Sequence, residues 1–185
     1  VMGFDYSGAK INILDTPGHQ DFAEDTYRTL TAADSVIIVI DAARGVEAQT
    51  RKLMDVCRMR HTPVMVFINK LDREGLDAID LLDEIESKLG LTVTPLSWPI
   101  GMGQRFKGVY NLYEKKLCLF SPHSKQEVDE TITITDLNDG RLDKEVGQRP
   151  ADELREELET VTTVYPDFDE TVYRKGALSP VFFGS

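Results

Sequence analysis

Apolar and polar positions along this chain follow two rhythms, and the change from one to the other divides it. In the first part, β-branched runs alternate with stretches whose apolar residues recur three and four apart. Residues 11–14 make a short, mostly apolar strand that ends at Asp15. Residues 2–6 can pair with it as a hairpin across Ser7-Gly8-Ala9-Lys10. Phe22, Tyr27, Leu30 and Ala33 are spaced for one helical face. Val36-Ile37-Ile38-Val39-Ile40 is an unbroken apolar run, the pattern of a strand covered on both faces, and residues 64–68 form another. Between these runs a helix over residues 47–60 turns Leu53, Met54 and Cys57 inward. A third helix, over residues 77–89, places Ile79, Leu82, Ile85 and Leu89 on one side. Its other side carries Asp80, Asp83, Glu84 and Glu86 and reads as a solvated acidic face.

The rhythm changes between Pro95 and Gly103, where Trp98-Pro99-Ile100-Gly101 breaks the alternation. Trp98 suits packing beneath the segment after it. Residues 109–113, 116–120 and 131–135 are candidate antiparallel strands. The turn-rich Leu137-Asn138-Asp139-Gly140 then leads into a helix with Leu154, Leu158 and Val161 at helical spacing. The chain closes on Pro180-Val181-Phe182-Phe183-Gly184-Ser185, another strand. These elements predict an α/β fold: a mostly parallel sheet with flanking helices and right-handed crossovers, plus an α+β insertion. The division expected is a core over residues 1–100, an inserted subdomain over 101–179 and a last core strand over 180–185. Ligands of such sheets bind at the carboxyl ends of the strands, where both Asp15 and Asn69 fall.

Composition narrows the classes. With 29% charged residues and no apolar run near the ~20 residues that a span needs, a membrane protein is not expected. A net charge of −11 opposes general attraction to DNA, whose affinity comes largely from Lys and Arg on phosphates. Cys57 and Cys118 lack the spacing of a zinc site and suit reduced thiols in a cytoplasmic protein. His61 and His123 have no partner spacing and read as surface residues. Val1 stands where an initiator Met would, so a piece of a longer protein is expected.

Two motifs carry chemistry. In Asp15-Thr16-Pro17-Gly18-His19, Asp15 can hold a magnesium ion through a water, since magnesium takes oxygen ligands and keeps several waters. Gly18 lets its backbone N–H approach a phosphate oxygen, and the helix after it favours negative charge. His19 would project toward an attacking water. A plain strand-to-helix turn also fits Asp-x-Pro-Gly. In Asn69-Lys70-Leu71-Asp72, the Asp72 carboxylate can accept both guanine N1–H and the exocyclic amine. Adenine offers no such pair, so discrimination of roughly 10⁴-fold is attainable. Asn69 suits the N7 edge of the base and the neighbouring loops, and the Lys70 stem can lie along the ring. Asp41, ending its own strand, reads as a turn or helix-start residue. The two motifs together describe a GTP-binding domain.

Those motifs, with Asp41-Ala42-Ala43-Arg44-Gly45-Val46, resemble the translational GTPases, including elongation factor G. Asp21-Phe22-Ala23-Glu24-Asp25-Thr26-Tyr27-Arg28-Thr29-Leu30, Thr50-Arg51-Lys52-Leu53, Trp98-Pro99-Ile100-Gly101 and Phe106-Lys107-Gly108-Val109-Tyr110 resemble the bacterial class II peptide chain release factors. The resemblance implies an incomplete P-loop-NTPase-like GTPase fold that uses GTP or GDP with Mg²⁺. It further implies ribosome-dependent hydrolysis that promotes the departure of class I release factors. The site residues implied are His19 as catalytic, Asp15 as metal ligand, and Asp15, Thr16, Pro17, Gly18, His19, Asn69, Lys70, Leu71, Asp72 and Ser185 as nucleotide contacts. Ser185 would begin a third guanine-contacting motif. A phosphate-binding Gly-x-x-x-x-Gly-Lys-Ser/Thr loop is not found in these 185 residues, and Gly8-Ala9-Lys10 has neither its spacing nor a preceding strand. The resemblance therefore implies a missing strand between residues 11–15 and 36–41, and weak or absent nucleotide binding and hydrolysis by this chain alone. The other readings open to the sequence are a non-catalytic acidic binding module and an elongation-factor-G-like GTPase.

Overall fold

The computed structural model describes residues 1–16, 23–120 and 130–185, and opens on a hairpin of β1 (Met2–Tyr6) and β2 (Ala9–Ile13). Ser7 and Gly8 both take positive φ, 48° and 78°, the geometry that matches a two-residue turn to the twist of its strands. Met2 lies opposite Ile13 and Phe4 opposite Ile11, so one face of this ribbon is apolar. Both strands are exposed along their whole length and, among the described residues, pair only with each other. The apolar pattern predicts burial of the strand that leads to Asp15, and that strand is instead exposed. A two-stranded ribbon lacks the second layer that burial requires.

After α1 (Ala23–Ala32), the chain builds a parallel sheet through β3 (Val36–Asp41), α2 (Ala48–Met59), β4 (Val64–Asn69), α3 (Ala78–Leu89) and β5 (Val93–Pro95). α1 turns Leu30 inward as its spacing predicts, but Thr26 is buried and Tyr27 exposed. Met54 and Cys57 of α2 are buried, as are Ala78, Leu81, Leu82, Ile85 and Leu89 of α3. α3 starts at Asp77, whose side chain accepts the Ile79 N–H, and ends at Gly90 in the left-handed conformation. Both crossovers step across the sheet in the same direction, so their right-handedness puts α2 and α3 on one face.

That face is the dry one. Ile38 and Ile40 of β3 lie beside Val66 and Ile68 of β4, and all four are buried. The opposite face is not covered by the described residues: Ile37 is 62% and Val39 59% exposed, next to half-buried Met65 and Phe67. The unbroken apolar runs predict cover on both sides, and the described residues supply it on one. Among the described residues β3 is also the edge of this sheet, because β2 belongs to a separate one.

A second, antiparallel sheet comes next: β6 (Ser97–Ile100), β7 (Gly108–Asn111), β8 (Lys116–Leu119) and β9 (Glu130–Thr133), paired in that order. It begins at Ser97, where Trp98 and Ile100 pair with Tyr110 and Gly108. α4 (Gly140–Val146) and α5 (Gln148–Val164) pack against it through Leu142, Val146, Ala151, Leu154, Leu158 and Val161. Arg155 ties this layer together: its guanidinium grips Asp143 at 2.6 and 2.9 Å and donates to the Leu137 carbonyl at 2.7 Å. Short α6 (Glu170–Arg174) precedes β10 (Ser179–Phe183), which returns to the parallel sheet between β4 and β5. The parallel order is β3-β4-β10-β5.

Trp98 joins the two layers. Its ring meets Phe183 edge-on at 5.4 Å, and its Nε1–H donates to Glu157 of α5 at 2.5 Å. Replacing this buried indole (Trp98→Ala) is expected to lower unfolding free energy by about 4 kcal/mol, a loss that urea denaturation measures; a change under about 1 kcal/mol contradicts the joining role. The edge of β3, open among the described residues, makes a second expectation. Unpaired strand edges with apolar flanks template association, so the chain should gain mass with concentration in sedimentation velocity. Ile37→Lys should return it toward monomer. A wild-type chain that stays monomeric throughout would remove this inference.

Candidate functional site

Three strand ends meet at the carboxyl edge of the parallel sheet. Asp41 pairs with Asn69 in the β3–β4 register, and Phe183 pairs with Ile68 between β10 and β4. Beyond the strands, backbone bonds carry the same neighbours outward. The Ala42 N–H donates to the Asn69 carbonyl at 3.0 Å, and the Leu71 N–H to the Gly184 carbonyl at 3.3 Å. Leu71 is fully buried and pins the 69–72 loop to the core, while its carbonyl accepts the Gly103 N–H at 2.8 Å. Gly75 lets this loop pass the 41–46 loop closely. A Cβ there would stand 2.7 Å from the Ala42 carbonyl oxygen, and Leu76 N–H donates to that oxygen at 3.0 Å.

On this frame the polar side chains converge. Lys70 has φ +67°, a left-handed conformation rare outside glycine, and its N–H is held by its neighbour Asn69 Oδ1 at 2.8 Å. Its Nζ reaches across to Asp41 Oδ2 at 2.9 Å. The other Asp41 oxygen accepts the Ala43 N–H at 2.9 Å. The Lys70 ammonium first, and the Ala43 N–H second, hold the Asp41 carboxyl below its ordinary value of 3.8. Asp72 stands exposed at the rim, with Oδ1 accepting the Ser185 hydroxyl at 2.6 Å.

A further carboxylate supports the 41–46 loop from below. Glu84 accepts the Val46 N–H at 2.9 Å and the Lys88 ammonium at 2.7 Å. The Lys88 bond, with help from Val46, keeps its carboxyl below the usual range against the cost of burial. The acidic face of α3 is thus not wholly solvated. Periodicity shows which side of α3 is polar, but not that Glu84 meets a loop from the neighbouring crossover. Asp41 likewise does more than the turn role that its local sequence suggests. Its position at the end of a strand adjoining the Asn69 strand is the available signal for a partner.

The sequence-derived set therefore divides. Asn69, Lys70, Leu71, Asp72 and Ser185 are brought together, with Leu71 contributing an anchor rather than an exposed side chain. Asp15 is exposed and Thr16 half-buried, two and three residues past β2. No hydrogen bond or ion pair among the described residues joins either one to this cluster. Pro17, Gly18 and His19 lie outside the described residues, as do Phe22 and His123. Among the described residues, no group of three or more His, Cys, Asp and Glu is placed to hold a metal.

A guanine edge fits this donor and acceptor set. It needs a carboxylate facing solvent, and exposed Asp72, three residues past β4, is one. Among the described residues, no oxygens gather around Asp15 in the way magnesium needs.

The family described as "Elongation factor Tu GTP binding domain" matches residues 1–185. A crystal structure of a protein from Thermus thermophilus superposes over 99% of this chain with a TM-score of 0.68. The two are 24% identical, a likeness of fold, and the chain spans 28% of that protein's length. No helix among the described residues is long and apolar enough to cross a membrane.

The Asp41–Lys70 pair gives the site an acid-side signature. Because the Asp41 value is lowered on folding, its contribution to stability is complete above the ordinary carboxylate value and is lost as pH falls through the lowered one. Asp41→Asn should therefore be slightly less stable than wild type at neutral pH, by under about 1 kcal/mol for a pair open to water, with the gap closing on acidification below about pH 4. Urea midpoints of both proteins across that range test this. A gap that persists or widens in acid contradicts it.

Proposed function

The chain belongs to the family of elongation factor Tu GTP binding domains, and on that premise we propose that its carboxyl edge reads guanine. Asp72 accepts the two N–H donors of the base, Asn69 braces the N7 side and the neighbouring loops, and Lys70 lays its stem along the ring. Ser185 steadies the carboxylate. The observation that carries this reading is the 2.6 Å bond from Ser185 to Asp72, which joins two motifs more than a hundred residues apart at one rim.

The parent protein is then a GTP hydrolase of the translation machinery that uses Mg²⁺. The matching segments around Tyr27, Trp98 and Tyr110 favour a factor that works on the ribosome in the cytoplasm and promotes departure of class I release factors. In it, Asp15 would hold the metal, Thr16, Pro17 and Gly18 would line the phosphate end, and His19 would orient the attacking water. Residues 1–100 serve as the GTPase core, 101–179 as an inserted subdomain and 180–185 as the returning core strand. The 185 residues hold the base-reading half of the switch and do not hydrolyse GTP unaided.

Two measurements bear on this reading. Calorimetry should give weak, guanine-selective binding with little magnesium dependence, and no phosphate release. Tight, magnesium-dependent GTP binding by this chain contradicts the half-switch reading. Asp72→Asn should reverse the base preference toward xanthine nucleotides, because the amide offers xanthine a donor where guanine needs an acceptor. Retained guanine preference in that variant would falsify the assignment of Asp72.

A further inference from the structure

Asp41 has no role in the base-reading set proposed above, yet its side-chain bonds tie that set to the neighbouring loop. One carboxylate oxygen takes the Lys70 Nζ at 2.9 Å, and the other takes the Ala43 N–H at 2.9 Å. Its carbonyl accepts the N–H groups of Arg44 and Gly45 at 3.1 and 2.9 Å. The residue is fastened by its own turn, so it cannot follow the lysine away. Lys70 is fixed at the near end as well, through its N–H on Asn69 and its left-handed backbone. Its four-carbon stem thus spans from the end of β4 to the end of β3, with both ends held.

We propose that Asp41 is the positioning residue of the guanine reader, holding the far end of Lys70 so that the stem is ordered before a base arrives. This role rests on the guanine-reading function proposed above. Stability is a poor reason for the pair. The Lys70 side chain is 45% exposed, and ion pairs that open to water contribute little to folding. Geometry is the better reason. A lysine loses more rotamer freedom on ordering than most side chains, and incurring that loss at the moment of binding lowers affinity roughly ten-fold. The pair also keeps the Asp41 charge neutralised at an edge that must accept an anionic ligand. Asparagine cannot replace it: its single acceptor oxygen serves either Ala43 or Lys70, and its NH₂ group opposes the ammonium.

The test is a double-mutant cycle in the 185-residue chain with GDP as probe, followed by NMR titration. Asp41→Asn should weaken GDP binding about ten-fold, and should add nothing in a Lys70→Met background, where the charge it holds is gone. A second readout needs no nucleotide. The Lys70 ε-methylene signals should be distinct in wild type and move to the averaged shifts of exposed lysines in Asp41→Asn. Unchanged GDP affinity in Asp41→Asn, or a loss that adds in full to that of Lys70→Met, overturns the positioning role. So does a wild-type Lys70 that already averages freely. Failure of the guanine reader itself looks different. GDP and ADP would then bind alike or not at all while Lys70 stays ordered, and the positioning role would fall with the reader.

Discussion

β4 is paired along its length with β3 and, over Val66 to Ile68, with β10, and this double pairing fixes the carboxyl edge. In a parallel sheet a slip of one residue moves a strand end by about 3.3 Å and sends every side chain to the other face. Either change would separate Asp41 from Lys70 and bury the wrong half of β4. Val64, Val66 and Ile68 on the dry face make that slip costly, and Leu71 adds a lock just past the strand. The polar contacts at the rim inherit their geometry from this apolar register. They refine it, and they do not set it.

How much of this is legible in the sequence depends on the range of the interaction. The helices α2 and α3, the parallel runs and the Asn69–Asp72 loop follow from local periodicity and turn chemistry. The Asp77 cap and the Gly90 stop are local too. Contacts made across crossovers escape such a reading: Glu84 on the Val46 N–H and Asp41 on Lys70. Partners 38 and 29 positions apart leave no trace in a window of one helical turn, although strand adjacency does offer a hint for Asp41. The first motif is the reverse case. Its residues are the easiest to name, and only Asp15 and Thr16 fall among those whose placement is described.

The apolar runs teach a related point. A sequence records which faces of a strand can be buried, and the structure shows which faces are. Ile37 and Val39 have the composition of core residues and the exposure of surface ones, while Ile38 and Ile40 beside them are dry. The β1–β2 ribbon carries the same imbalance, with Met2, Phe4, Tyr6, Ile11 and Ile13 on one uncovered side. Both surfaces are apolar beyond what the described layers cover, and their strands do not pair with each other.

The order of assembly is constrained by where β10 sits. It lies inside the parallel sheet, between β4 and β5, although the whole antiparallel layer intervenes between Pro95 and Ser179. Closing that long connection costs entropy that only later contacts offset. The compensating contacts are at hand: Ser97 Oγ accepts the Phe183 N–H at 2.7 Å, the Leu96 N–H donates to the Val181 carbonyl at 2.9 Å, and Trp98 packs on Phe183. Each ties the start of the insertion to the strand that closes it. The insertion therefore does not merely interrupt the core; it delivers the segment that carries Ser185 to Asp72. A fault in the Trp98–Glu157–α5 packing should then be felt first at the Ser185–Asp72 contact, because Ser185 arrives through it.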